Sequence, residues 1–249
     1  MEGGNFLKNS QIIILGICIA VATIVSSVIL SGGVLKVMKF TREQISVTGS
    51  ATKEITSDYI IWKGTFSRRD SNLKAAYAGL KSDLEKIKSY FTSKGVDDKE
   101  VAVSSVSTSV IHRKNDKGND TNDIQYYILS QTIEIRSGDV EKITDVSRES
   151  TDLIEQGVEF ASCAPEYFYK KLDELKLEML SKASENAKQR AENMARSTGN
   201  RIGLMRSARM GVFQITPATS TEVTDWGTND TTSLDKKVMA VVTVSFAIQ

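Results

Sequence analysis

The chain of 249 residues has few of the residue types that most often carry chemistry: one histidine, two cysteines, two prolines and two tryptophans. His112, Cys18 and Cys163 are together one ligand short of the four that a zinc site built from His and Cys takes, so such a site does not close within one chain. The single imidazole lies in a strand-like segment running into a polar loop, which reads as a surface histidine rather than the general base of a nucleophile–base pair. Two cysteines, one of them inside an apolar run, exclude a disulfide-stapled scaffold, and Cys163 reads as a packed thiol. Neither sign of charge prevails: 32 Lys plus Arg stand against 31 Asp plus Glu, a formal net charge of +1 that gives no electrostatic case for nucleic acid. Neither G-x-G-x-x-G nor G-x-x-x-x-G-K-[ST] occurs, so no loop is built to bring backbone N–H groups onto a nucleotide phosphate. The carboxylate pairs Asp97/Asp98 and Asp120/Asp123 sit where Asp forms turns and match no calcium-loop spacing. No cofactor, metal or catalytic residue is therefore expected.

The chain does hold one long apolar run. From Ile12 to Leu30 nineteen residues carry no charge, and a helix of that length spans ~28 Å against a hydrocarbon core of ~30 Å. A cleaved leader usually has an apolar stretch of only about 7 to 15 residues and an A-x-A-like site, which the segment from Ser26 to Gly33 lacks. An uncleaved, single-pass anchor over residues 11–31, in contact with the lipid bilayer, is the preferred reading. The chain then divides into a tail (1–10), the anchor, a basic linker (32–43) and one domain (44–249). Lys36, Lys39 and Arg42 follow the anchor while Lys8 precedes it, and the positive-inside bias taken alone would hold the domain on the cytoplasmic side.

Residues 44–249 alternate between the two-residue period of strands and the 3.6-residue period of helices, the mark of an α+β domain. Ile60, Trp62, Gly64 and Phe66 share one strand face. Leu73, Tyr77, Leu80, Leu84, Ile87 and Phe91 form a helical stripe ended by Gly95, with Lys74, Lys81, Asp83, Glu85 and Lys88 on the solvated side. Two strands around the loop at 115–123 predict a hairpin, a short helix is expected over 139–155, and a strand leads from Val158 to a long helix over 170–198. The last strand, Lys237–Ile248, is strictly alternating. Strand, helix, strand, polar loop, strand occurs twice, so two βαββ halves joined by the short helix are expected, with largely antiparallel sheet covered by helices.

Two features stand out. Ala183, Ala187, Ala191 and Ala195 recur at strict fours on the long helix, a ridge of small side chains that lets a neighbouring backbone come close, either the sheet or a second copy of the chain. Trp226 sits among Asp, Gly, Thr and Asn in the polar stretch 218–235, where no periodicity gives it a core position; it either folds back or contacts a partner.

The opening Ile45-Ser-Val-Thr-Gly-Ser-Ala, Ser57-Asp58 before an apolar strand, and the run Ala183-x3-Ala187-x3-Ala191-x3-Ala195-x3-Gly199-x3-Gly203 together resemble the SIMPL domain family across 44–249. Gly95 followed by Val101-Ala-Val-Ser-Ser, and Tyr127 in the second hairpin strand, add to the likeness. The resemblance implies an envelope protein whose domain is exported to the periplasm or cell exterior, with relatives that assemble as hollow rings or defend against oxidative stress; it transfers no catalytic residue. The expected function is accordingly a membrane-anchored, non-enzymatic protein that self-associates as a scaffold or stress-protective homo-oligomer. The alternatives are a partner- or ligand-binding module acting through loops 115–123 and 218–235, and a hydrolase using unidentified carboxylates.

Overall fold

The computed structural model describes the backbone of residues 3–249 and the side chains of residues 14–34 and 43–249. Met1 and Glu2, where the tail begins, lie outside the described residues, as do the side chains of Lys8, Lys36, Lys39 and Arg42 on which the flank argument rests. Helix α1 (Gly3–Arg42) contains a 21-residue apolar stretch, Ile14–Val34, long enough to cross a membrane and not buried at all by the rest of the protein. The helix continues to Arg42, through the segment read as a linker, because residues 34–42 contain no Pro or Gly to stop it. A single residue, Glu43, then separates it from strand β1 (Gln44–Thr56).

The chain continues through β2 (Tyr59–Asp70), α2 (Leu73–Ser93), β3 (Val101–Val103), β4 (Ser107–Lys114), β5 (Asp120–Ser137), α3 (Val140–Glu149), α4 (Asp152–Glu155), β6 (Glu159–Ser162) and β7 (Glu166–Phe168). It ends with α5 (Leu172–Ser197), β8 (Ile202–Met210), β9 (Gln214–Pro217), β10 (Thr228–Asn229) and β11 (Asp235–Ile248). These elements form two compact units. The smaller comprises residues 1–50, 180–211 and 241–249, the larger 51–179 and 212–240, and β1, α5 and β11 contribute residues to both.

The larger unit is organised by β2, whose alternating Ile60, Trp62 and Phe66 are wholly buried, as their spacing predicts. β2 pairs antiparallel with β5 over Ile60↔Ser137 to Asp70↔Tyr127 on one side and with β6 and β7 on the other; β3 and β4 extend the outer edge of β5. Gly64 leaves room here for the Phe160 ring, whose tip would stand 2.1 Å from a Cβ at that position. Helix α2 brings Leu80, Ile87 and Phe91 onto this core, with Phe91 edge-on to Trp62 at a ring separation of 5.8 Å.

Three details of this unit differ from expectation. Leu73 and Tyr77 are exposed, so the buried stripe of α2 starts only at Ala76. Asp83, expected on the solvated face, is fully buried and held by the Arg68 guanidinium, whose Nη2 donates to its Oδ1 at 2.8 Å and to the Gly157 carbonyl at 2.9 Å. That hydrogen bond raises the Arg68 pKa further, against the opposing effect of burial. The helix expected over 139–155 breaks after Glu149, where Ser147 and Ser150 turn their hydroxyls back onto the carbonyls of Thr144 and Ser147, each at 2.7 Å. The break buries Leu153 and leaves Ile154 exposed.

In the smaller unit α5 packs on the first half of β1, where the Ser50 N–H donates to Asn186 Oδ1 at 3.2 Å and Arg190 Nη1 donates to the Thr48 carbonyl at 3.1 Å. Ala183, Ala187, Ala191 and Ala195 are all buried, and the ridge makes room for Gly49 of β1: a Cβ there would fall 2.3 Å from both the Ala183 carbonyl oxygen and the Ala187 nitrogen. The ridge is therefore used within the chain, helix against sheet. β11 pairs β8 along its C-terminal half and β9 along its N-terminal half, and β10 adds to β9 in parallel. β1 belongs to this sheet, whereas β6 and β7 join β2. The sheets thus draw on strands from both halves of the sequence.

Candidate functional site

Two surfaces of the larger unit combine shape with exposed recognition chemistry. The first is an open cleft of about 750 Å³ lined by Ser71, Asn72, Leu73, Lys74, Tyr77, Val106, Thr108, Tyr127 and Leu129. Its wall is the start of α2, fixed by a tandem cap: Asp70 Oδ1 accepts the Asn72 N–H at 2.8 Å, and Asn72 Oδ1 accepts those of Lys74 at 2.9 Å and Ala75 at 3.2 Å. With those N–H groups already bonded, the cleft offers apolar contact rather than an anion site. Tyr77, 54% exposed, and Leu73 one turn before it supply that contact. The floor passes to β4, which among the described residues pairs only with β5 and so presents a free strand edge.

The second surface is the loop between β9 and β10. The long polar segment has a defined shape. Buried Gln214 reaches the Thr224 carbonyl through Nε2 at 2.5 Å, the Thr224 and Thr228 hydroxyls lie 3.2 Å apart, and Lys237 Nζ donates to the Ser220 carbonyl. Gly227, immediately before β10, takes a positive φ of 85°, and a Cβ there would stand 2.8 Å from the Phe213 carbonyl oxygen. This bracing leaves Trp226 83% exposed. The indole therefore stands on the surface of a shaped loop and takes no part in the core.

Next to this loop, Lys236 is buried to 2% exposure, although a Lys-Lys pair in a strand reads as solvated. Its Nζ donates to the Tyr167 carbonyl at 2.9 Å and to the Asp230 carbonyl, and the Tyr167 N–H donates to the Thr231 carbonyl at 2.7 Å. Burial lowers the Lys236 pKa while the Asp230 carboxylate pushes it back up. Burial also works against the Asp230 carboxylate, but the Thr232 hydroxyl at 2.7 Å and backbone N–H at 2.9 Å, together with Lys236, hold its pKa below the usual value. The adjoining cavity is only about 60 Å³, room for a water or two. Its two main-chain acceptors make this lysine a staple for the loop rather than a nucleophile facing a substrate.

The remaining candidates do not converge. Cys163, expected to be packed, is exposed, and its backbone carbonyl accepts the Trp62 indole N–H at 3.0 Å. Among the described residues no group of three or more His, Cys, Asp or Glu side chains is arranged to hold a metal ion. Sequence pattern singled out Trp226 but missed the cleft. The cleft follows from Leu73 and Tyr77 standing exposed at the start of α2, which their helical spacing does not reveal.

These features define a mixed α+β protein with antiparallel-rich sheets behind one N-terminal apolar helix. The profile of the SIMPL family, described as a protein of unknown function (DUF541), matches residues 45–246, and the chain belongs to that family. No curated protein matches it. Among solved structures, an amidase of the hydantoinase/carbamoylase family from Burkholderia phymatum is 12% identical over 49% of this chain and 32% of that one, with a TM-score of 0.28. The match spans about a third of the amidase's length, and a likeness that slight bears on neither fold nor activity.

Proposed function

We propose that this SIMPL protein is a single-pass, membrane-anchored envelope protein whose exported domain works without catalysis, self-associating as a scaffold or stress-protective oligomer. The observation that carries the reading is α1: an apolar span that nothing in the protein covers, fused to a folded domain. The alanine ridge gives self-association no support, since Gly49 occupies it; the support comes from the open edge of β4 and the apolar cleft beside it, both suited to pairing with a second copy. Anchoring favours assembly by confining copies to a plane. Within this reading β2, α2, β4 and β5 form one βαββ run, with β7, α5, β8 and β11 proposed as its counterpart. Light scattering of the full-length chain in detergent at micromolar concentration should give a protein mass that is a multiple of 27.4 kDa. A monomer throughout that range would end the scaffold reading.

Trp226 favours a second reading, in which loop 218–235, with loop 115–123, captures a different protein. Trp226→Ala should then leave thermal unfolding unchanged and remove the partner from cross-linked complexes isolated from native membranes. An unchanged set of cross-linked proteins would exclude this role. Among the described residues the hydrolase alternative has one buried carboxylate to draw on in Asp83, and Arg68 already occupies it.

A further inference from the structure

We propose that the end of the smaller unit formed by the close of α5 and the start of β8 docks on an anionic phospholipid surface; this rests on the membrane-anchor reading above. The first observation is the missing linker. Only Glu43 separates α1 from β1, and the Glu43 carbonyl accepts the Ile248 N–H at 3.1 Å, so the helix end is tied to the last residues of β11. Ile248 pairs with Ile202, and Arg201 and Gln249 exchange backbone hydrogen bonds of 2.9 and 2.8 Å. The ends of β11 and β8 therefore lie at the point where the chain leaves the anchor. From Val34 to Arg42 the helix rises ~12 Å, while the interfacial zone outside the hydrocarbon is roughly 5 to 8 Å deep. This end of the sheet is then close to headgroup level, within about one Debye length, ~8–10 Å, of the phosphate charge.

The second observation is what that end displays. A cleft of about 550 Å³ is lined by Glu192, Arg196, Gly199, Asn200, Arg201 and Ile202. Arg196 and Arg201 are exposed, and among the described residues neither guanidinium has a hydrogen bond or ion pair. Glu192, the opposing charge in the cleft, is shared with Lys188 at 3.9 Å. The closing carbonyls of α5 are capped, with Asn200 N–H on Ala195 O at 2.9 Å and Gly199 N–H on Arg196 O at 3.1 Å, so the arginines rather than the helix dipole set the sign of the cleft. The sequence adds Lys36, Lys39 and Arg42 between span and sheet. Beside the cleft, β8 turns out Leu204, 75% exposed, and Met205, 61% exposed, on a strand that among the described residues pairs only with β11. Bulky apolar side chains on an open edge, flanked by unpaired guanidinium groups at the exit of a membrane helix, match a layer of anionic headgroups over acyl chains. Cation–phosphate contact and shallow apolar insertion are the two terms that hold such surfaces to bilayers.

The test uses the full-length chain reconstituted into phosphatidylcholine vesicles with or without phosphatidylglycerol. Cys18 and Cys163 are replaced by Ser, and an environment-sensitive fluorophore is placed at Leu204→Cys or, for reference, at Met210→Cys, six residues or ~20 Å further along the same strand. With phosphatidylglycerol present, a headgroup spin label should quench position 204 several-fold more than position 210. Each neutralisation, Arg196→Gln or Arg201→Gln, should lower the ratio of quenching at position 204 in anionic over neutral vesicles about fivefold, the factor to which ~1 kcal/mol per basic residue corresponds. Arg196→Lys and Arg201→Lys should retain it. Vesicle-bound protein whose position 204 stays unquenched overturns the docking and leaves the anchor intact; protein that fails to float with the vesicles overturns both. Concentration-dependent burial of position 204 with cross-linking between copies in neutral vesicles would give the edge to a second copy and likewise refute lipid docking.

Discussion

The residues that decide most in this protein are small. Gly49 and Gly64 both stand where a methyl group has no room, but their neighbours differ. At Gly64 the obstacle is the far edge of the Phe160 ring, which can move; at Gly49 it is the main chain of α5 at Ala183 and Ala187, which cannot move without shifting the helix. Gly49→Ala should therefore destabilise by about 1–3 kcal/mol, the range for overpacking a tight contact, and by more than Gly64→Ala. Urea unfolding of each variant measures both, and a Gly49→Ala chain as stable as the parent would mean that α5 does not pack as described. The alanine spacing announced a close approach, yet its occupant was undecided in the sequence, because small side chains serve an intramolecular and an intermolecular neighbour equally. At Trp226 the pattern excluded a core strand and no more. Its exposure follows from the bonds of Gln214, Thr224 and Gly227, which come together only in the folded loop.

Among the elements, β2 and α5 were the most legible, since each carries an uninterrupted period. Helix α3 was legible as a helix but not in its length, because serines that turn hydroxyls onto their own backbone end it without a Gly or Pro. Its start depends on Asp139, whose carboxylate accepts the Lys142 N–H at 3.2 Å and pairs with the Lys142 ammonium at 2.8 Å. The hydrogen bonds from the Lys142 side chain and backbone hold the Asp139 pKa below its ordinary value. A carboxyl whose folded pKa is depressed adds stability above its unfolded pKa of ~3.9, and that contribution fades as pH falls through the folded value. Asp139→Ala should cost ~1 kcal/mol at neutral pH through loss of the cap. Asp139→Asn, which can still cap, should lose only the charge-dependent part, and its difference from the parent should vanish once the pH has fallen through the depressed folded pKa. Denaturant titrations at pH 7 and in acid decide this; a difference from Asn that persists in acid would show that the carboxylate charge is not the source.

At the scale of the whole molecule, topology in the membrane controls everything the domain can meet. On the exported reading, protease added to intact spheroplasts should digest the domain and leave a fragment containing Ile14–Val34. A domain cut only after lysis would put it on the cytoplasmic side, where the basic flank alone points. The membrane-length apolar helix was legible because nineteen uncharged residues run without a break. The absence of a hinge was not, since Lys36 to Arg42 is compatible with either helix or linker until something receives its end.

The sequence alone determined the apolar span, the α+β class, the buried face of β2 and the family, because each depends on periodicity or order along the chain. Tertiary structure alone decided that the alanine ridge closes on Gly49, that Asp83 is buried against Arg68 and Lys236 beneath a loop, and that Leu73, Tyr77 and Trp226 face solvent. Those outcomes turn on which remote segments meet. A side chain's burial is set by the neighbour that arrives across the fold, and local pattern carries no record of that neighbour.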